Sequence, residues 1–558
     1  MKLDQNQARR LAVYFFVDVR GKADTVHLSM LQGLKGAGCQ VLTVISGYAG
    51  RDDVRALKKA SDEVIARPNM GTLFSAMLDA FSYLGWKKLE DFEEVILVQS
   101  TMVGPFSSLR TVFDAMAGRD VDDWCLVGCT DSVRPAFDMG MFALRPPLLT
   151  DRKFIRFLRE RSIGEDPEGT VETQEGHVFY DYFARREHAW DAYCDFKGME
   201  DLNDDVLLYL APELAERKLL PAIPRRVFTA PYDTLIANSC AETPAELIRV
   251  LREKTDYDVS GLVRSLLVSE NLPDLVRTLH ASYFLPTEGT NHTSANPREF
   301  AVVVCAKEEY FDRLTKPYRK PISKKHPFFF LGGEESYAEK LREAASLTEG
   351  YSYACILGFD NYRIFDEPRS NDLSLLYRDF MCMLPTEECA GNVVDLFEMY
   401  PELGMLVPPV PAFGNFFVRM QDGWNGHLEA LRKCLEELQM HPVIRQGTHP
   451  LYPVGGSLWI RTDLLQTIAG MHLENVVYAD GKTGFSEEIE KDALTRLLLP
   501  FLAQHEQYLT ASLVSDAYAG IELTNLDFTF RKNNEAIFRR WMPDYYENEI
   551  KRIRGTWT

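Results

Sequence analysis

Four short runs in the first third of the chain are apolar on both faces: LAVYFFV (11–17), VLTVI (41–45), VILV (95–98) and WCLVGC (124–129). A strand with one solvated face alternates apolar and polar residues, whereas a strand covered on both sides does not. Between the runs, TVHLSMLQGLKGAG, LFSAMLDAFSYLG and SSLRTVFDAMAG carry helical spacing, and the first and last stop at glycine. Such alternation predicts βαβ units wound into a doubly covered parallel sheet. Ligands of these sheets bind beyond the C-terminal ends of the strands.

The pattern changes at residue 243. From there to about 285 it reads as helix throughout, with TPAE as its start: Thr243 as cap, Pro244 in the first turn and Glu246 completing a capping box. PTEGTNHTSANP (286–297) is a polar linker, after which an α/β series begins again. REFAVVV (298–304) echoes RRLAVYF (9–15), YACILGF (353–359) parallels EEVILVQS (93–100), and ELGMLVPP (402–409) parallels DDWCLVGC (122–129). A Gly-x-Phe/Leu-x-Leu/Ile-Arg element closes each series, GMFALRPPLL (140–149) and GSLWIRTDLL (456–465). Four landmarks in one order predict an internal duplication. The expected divisions are a first α/β module (1–235), a helical connector with its linker (236–297), a second α/β module (298–530) and a basic, aromatic tail (531–558).

Length agrees, since 558 residues exceed what one core organises. The formal net charge of −20 excludes nucleic acid as a partner, which needs a basic footprint. Ten cysteines without a C-x-x-C pair argue against zinc and for a reducing, cytoplasmic setting. The opening MKLDQNQARR lacks the apolar core of a signal peptide, and no apolar run reaches the ~18 residues of a membrane span.

Candidate chemistry sits where strands end. Asp18, Asp131 and Asp360 each follow a predicted strand. A carboxylate there can hold a divalent cation against a diphosphate or bond a ribose hydroxyl; equally, Asp after a strand is a common turn residue. FSEEIEKDALTRLLLPF (485–501) gathers Glu487, Glu488, Glu490 and Asp492 at a helix start. The helix dipole alone accounts for acids there; the functional reading makes one of them a general base toward a hydroxyl. In GGSLWIR, Gly455 and Gly456 would let backbone N–H groups approach a substrate, Trp459 would offer a flat face, and Arg461 a phosphate-binding fork. The structural alternative is a core tryptophan and a strand-end arginine. KPYRKPISKKH (316–326) is a basic loop. Walker, G-x-S-x-G, G-x-G-x-x-G and H-E-x-x-H signatures are missing, and with them most hydrolase, nucleotidase and dehydrogenase readings.

Taken together these segments resemble the rhamnan synthesis protein F family, bacterial glycosyltransferase-like proteins of surface polysaccharide assembly. YFFVDVRGKAD, ARPNMGTLF, VILVQSTMVGPF, DDWCLVGCTDS, PELGMLVPP, PVGGSLWIRTDLL and DALTRLLLPFLAQ carry the resemblance, over about residues 10–530. The matching positions are Asp18, Arg67, Asn69, Gly71, Thr101, Gly104, Pro105, Trp459, Arg461 and Arg496. Family acids are replaced by Leu73, Ser100 and Thr495, and the family's histidine and tyrosine before Asp18 by Phe16 and Val17. The family's closing-helix histidine is Asp492.

The resemblance implies two tandem GT-A-like, Rossmann-like modules joined by a helical segment. It also implies transfer of a sugar, typically rhamnose from dTDP-rhamnose, to a lipid-linked glycan acceptor. On this reading Glu487, Glu488 or Asp492 is the catalytic base. Asp18, Asn69, Thr101, Gly104, Asp131, Gly455, Gly456, Trp459 and Arg461 bind the nucleotide sugar. The departing diphosphate is stabilised by Mg²⁺ or Mn²⁺ at Asp360, or by Arg461 without metal. The expected location is cytoplasmic, at the inner face of the plasma membrane, with the C-terminal tail in peripheral contact. The rival is a non-catalytic glycan-binding or assembly scaffold, favoured by the acids lost from the first module.

Overall fold

All four apolar runs of the first third become strands in the computed structural model. It describes residues 10–540, apart from 19, 69–71, 131–135, 163–177, 180, 183–187, 200–204, 291, 293–297, 316–325, 359–370, 412–423, 425, 446–449 and 479–485, and also residues 551–552. Contacts divide the chain into two units, Met1–Ser265 and Leu266–Thr558. Helices predicted as a connector therefore fall on both sides of the division, Thr243–Lys254 before it and Leu272–Thr278 after it.

In the first unit the strands are β1 (Arg10–Phe16), β2 (Cys39–Ser46), β3 (Glu63–Arg67), β4 (Glu94–Gln99), β5 (Met102–Val103), β6 (Asp123–Cys129), β7 (Ala136–Phe137), β8 (Met141–Leu144), β9 (Trp190–Asp195) and β10 (Ile223–Pro224). The main sheet runs β3-β2-β1-β4-β8-β6, with β7 and β9 both paired to β6. β1 to β4 are parallel, with Val13 opposite Leu42 and Leu97, while β8 inserts antiparallel between β4 and β6. Residues 11–16 of β1 are all buried because both faces are covered. Leu11, Val13 and Phe15 join one core cluster with Phe74, Met77 and Phe81 of the helix Leu73–Leu84. Each such side chain, fully buried, contributes about 1.5–3 kcal/mol.

The second unit contains β11 (Ser282–Leu285), β12 (Phe300–Val304), β13 (Phe328–Phe330), β14 (Tyr353–Leu357), β15 (Leu403–Val407), β16 (Leu458–Arg461) and β17 (Leu509–Ser515). Its order is β13-β12-β14-β16-β15-β17-β11, with β16 antiparallel among parallel neighbours. Laid beside the first sheet, β12, β14, β16, β15 and β17 occupy the places of β1, β4, β8, β6 and β9. The four sequence landmarks thus fall on four equivalent strands, and the duplication is structural. The tandem doubly wound α/β architecture expected from the sequence is the one observed.

Two local expectations fail. Thr243 is the first residue of its helix, not the cap, and its hydroxyl donates to the Leu208 carbonyl at 2.6 Å. The segment to residue 285 is not helical throughout either, because β11 adds a parallel strand to the sheet edge. Its side chains are only exposed or half-buried, so it lacks the apolar run that marks the inner strands.

Candidate functional site

The repeated arginine has the same task in both units, and it is structural. β16 runs against β14, so Arg461 stands opposite Tyr353, at the start of β14 and the N-terminal edge of the sheet. There its Nε donates to the Leu403 carbonyl at 2.6 Å, and Nη2 donates to the carbonyls of Phe397 (2.5 Å) and Tyr400 (3.3 Å). Phe397 and Tyr400 lie at the C-terminal end of the helix Glu387–Met399, whose last carbonyls have no partner within the helix. Arg145, its counterpart, donates to the carbonyls of Met116, in the last turn of the helix Leu109–Ala117, and of Arg119 and Val121 just past it, at 2.6–2.8 Å. Arg461 Nε and Nη2 are thus engaged by carbonyls, at the edge opposite the one where ligands of such sheets bind. Trp459 is likewise core rather than substrate wall: it is fully buried, stacks edge-on against Phe300, and donates Nε1–H to the Met383 carbonyl at 2.7 Å.

At its other end the GGSLWIR stretch does reach the strand C-terminal edge. Gly455–Ser457 lies past the end of β14, beside Gly358. A Cβ on Gly358 would stand 2.7 Å from the Gly456 carbonyl carbon and closer still to the Gly455 oxygen. Gly456 itself has φ +80°, a left-handed conformation that favours glycine. What the glycines admit is another stretch of backbone, and Ser457 Oγ accepts the Gly358 N–H at 3.0 Å.

Around this junction the second unit assembles a polar cluster. Tyr337 opens the helix Tyr337–Leu347; its hydroxyl donates to the Gly456 carbonyl (2.8 Å) and its N–H to Asp492 Oδ1 (2.8 Å). Burial pushes the Tyr337 phenol well above its ordinary value, so it remains a donor. Asp492 comes from the helix Glu487–His505, half-buried, and one turn further on Arg496 lays its guanidinium 5.6 Å from the Tyr337 ring. Arg496 is 1% exposed, and its Nε and Nη1 have no hydrogen-bond partner among the described residues. Burial pushes the nearby Tyr452 phenol up to about 12, with Arg496 and Arg378 drawing it down. Arg378, also fully buried, spends Nε and Nη2 on Asp379.

The three nominated bases separate here. Glu487 is exposed and ion-paired with Lys491 at 2.6 Å, whose hydrogen bond holds its carboxyl below the usual range. Glu488 is exposed, and only Asp492 joins the cluster. Arg496, which the sequence offered only as a family match inside a leucine-rich helix, proves the more informative neighbour.

The first unit uses its nominated residues as scaffold. Asp18 Oδ1 accepts the N–H groups of Arg20 and Lys22, both at 2.9 Å, as a turn residue does. The Thr101 carbonyl accepts from Arg225 N–H at 2.7 Å, and Gly104 is pressed against the Pro221–Ala222 backbone. Below this loop lie buried polar groups that sequence reasoning missed. Tyr14, Tyr257 and His27 have side-chain polar atoms without hydrogen-bond partners among the described residues, and His27 packs edge-on to Phe16. Burial lowers the His27 pKa, so it is neutral at pH 7. Asn69, Asp131 and Asp360 lie outside the described residues. Among the described residues no group of three or more His, Cys, Asp or Glu could hold a metal ion.

Strand order, the antiparallel insertion and a polar cluster at the C-terminal strand edge define a tandem α/β protein of the doubly wound class. The chain belongs to the rhamnan synthesis protein F family, whose profile matches residues 41–346 and 374–508. No curated protein matches it. Among solved structures it is similar to a cytidylyltransferase from Leptospira borgpetersenii, at 16% identity over 34% of this chain and 75% of that one, with a TM-score of 0.23. It is also similar to glucosyl-3-phosphoglycerate synthase from Mycobacterium tuberculosis, at 12% identity over 34% and 70%, again with a TM-score of 0.23. Overlaps this slight carry no argument about the site.

Proposed function

We propose that this chain is a GT-A-like glycosyltransferase of cell-surface polysaccharide synthesis, moving rhamnose from dTDP-rhamnose onto a lipid-linked glycan at the strand edge of its second unit. Family membership supports sugar transfer in polysaccharide synthesis. The observation that carries the choice of site is Asp492. Of the nominated acids among the described residues it alone meets the Tyr337–Gly456 junction, with Oδ1 fixed by the Tyr337 N–H and Oδ2 accepting no hydrogen bond among the described residues.

In this mechanism Oδ2 takes the proton of an acceptor hydroxyl. The hydroxyl oxygen bonds to the anomeric carbon as the bond from that carbon to the diphosphate oxygen breaks, and the nucleoside diphosphate leaves with the electron pair. General bases of this kind contribute about 10²–10⁴-fold. Asp492→Asn keeps the shape and removes the base. Turnover of the labelled donor should fall about a hundredfold or more, with donor Kd unchanged; an undiminished kcat would refute the assignment.

A divalent ion at Asp360, two residues past Gly358 in the sequence, belongs to the same proposal and is tested by donor titration with and without Mn²⁺. The first unit is read as non-catalytic, because Asp18 is engaged in its turn. Contact with the membrane face is proposed for the C-terminal region. The helix Asp516–Arg540 exposes Leu523, Phe528 and Phe530, and no helix among the described residues is long and apolar enough to cross a membrane. Liposome sedimentation should pull down the full chain more than one ending at residue 515; equal recovery would remove the idea.

A further inference from the structure

A guanidinium in the protein interior carries five N–H donors and a charge that cannot be neutralised by deprotonation, so it needs acceptors around it. Arg461 and Arg145 find helix-end carbonyls, and Arg378 finds Asp379. Arg496 finds none: Nε and Nη1 are buried without hydrogen-bond partners, and no ion pair joins it to any carboxylate among the described residues. Asp492, one turn before it, spends Oδ1 on the Tyr337 N–H. The Tyr337 ring covers the guanidinium, and Tyr452 lies within the field of both Arg496 and Arg378. The cluster thus holds a buried guanidinium with no ion pair among the described residues and with unmet donors on Nε and Nη1 at the strand C-terminal edge, where ligands of doubly wound sheets bind.

We propose that Arg496 binds a diphosphate ester, its unmet N–H groups donating to phosphate oxygens that supply the missing acceptors and counter-charge. The anion site stands on the geometry alone, while the choice of diphosphate rests on the transferase reading above. Sugar nucleotides and polyprenyl-linked glycans both carry this group, so the chemistry has two sources.

The probe is inorganic pyrophosphate, titrated calorimetrically into the full chain, with thermal melts alongside. Wild type should bind saturably, and Arg496→Met should weaken binding about tenfold or more, since hydrogen bonds to charged groups are of that size. Without ligand the Met variant should melt no lower than wild type, because an unbranched apolar chain of similar length replaces an uncompensated charge. Failure of wild type to bind, equal binding by the variant, or a variant that melts well below wild type or does not fold would each overturn the proposal. Arg496→Lys, which keeps charge and reach, should fold and bind severalfold more weakly; unchanged affinity would also count against the guanidinium.

Displacement of pyrophosphate by dTDP marks the donor as the source, and displacement by a polyprenyl diphosphate in detergent micelles marks the acceptor. Pyrophosphate binding through Arg496 without any sugar transfer would leave the anion site and sink the transferase reading. Transfer by an Arg496→Met enzyme with unchanged affinity for both diphosphates would do the reverse.

Discussion

Replacing Arg461 by methionine separates a structural arginine from a phosphate-binding one. The substitution keeps the length of the side chain over Tyr353 and Phe397 but removes every donor. Two short hydrogen bonds are lost, to Leu403 and Phe397, together with the longer one to Tyr400. Hydrogen bonds to charged groups are worth about 1.5–3 kcal/mol each, and a cation near a helix C-terminus adds about 0.3–1 kcal/mol. The site is half-buried and the bonds share one group, so the sum is not additive. A loss of about 3–4 kcal/mol is expected, or roughly 1–2 M in urea midpoint. Trp459 and Trp424, both buried in the second unit, report its unfolding by fluorescence. Arg145→Met should produce the same loss in the first unit, reported by the buried Trp124. Donor affinity of the folded Arg461→Met protein should be unchanged. Undiminished stability with lost donor affinity would refute the structural role and return Arg461 to the site.

Gly358→Ala should destabilise the second unit by about 1–3 kcal/mol, since the new methyl meets the Gly455–Gly456 backbone rather than a flexible side chain; an unchanged melt would show that the junction yields. His292 is clamped between Asp395 (2.6 Å) and Glu299 (2.7 Å). Burial alone would lower its pKa, but the hydrogen bonds it donates to the two carboxylates, with their charge, outweigh that and raise it. Its stabilisation is therefore complete below the unfolded value of about 6.5 and fades as pH rises through the raised folded value. Melts between pH 6 and 9 should slope downward more steeply in wild type than in His292→Gln, and equal slopes would rule the clamp out.

Much of the fold was legible because burial on both faces leaves an unbroken apolar signature. LAVYFFV and WCLVGC had no other stable use, and the strand correspondence between the two halves followed from them. β11 and β3 were not legible, being short edge strands whose half-exposed residues resemble loop. The site was harder for a different reason. Glycine, aromatic and arginine in one strand suit a ligand wall and a helix-end staple equally, and only strand direction decides. Because β16 runs antiparallel, its glycines reach the C-terminal edge while Arg461 is carried to the opposite one. Arg496 was hidden by its setting: in TRLLLPF it looks like one polar residue on a buried helix, and its significance comes from what fails to pair with it. Asp492 was named in a cluster of four acids, and only the Tyr337 N–H set it apart.

The most direct test of the account is calorimetric titration of the folded full-length protein with dTDP-rhamnose, UDP-sugars and GDP-sugars, each with and without Mn²⁺. Saturable binding of dTDP-rhamnose is expected, preserved in the folded Arg461→Met variant and weakened in Arg496→Met. Failure of every sugar nucleotide to bind would contradict a donor site in the second unit and favour a glycan-binding scaffold.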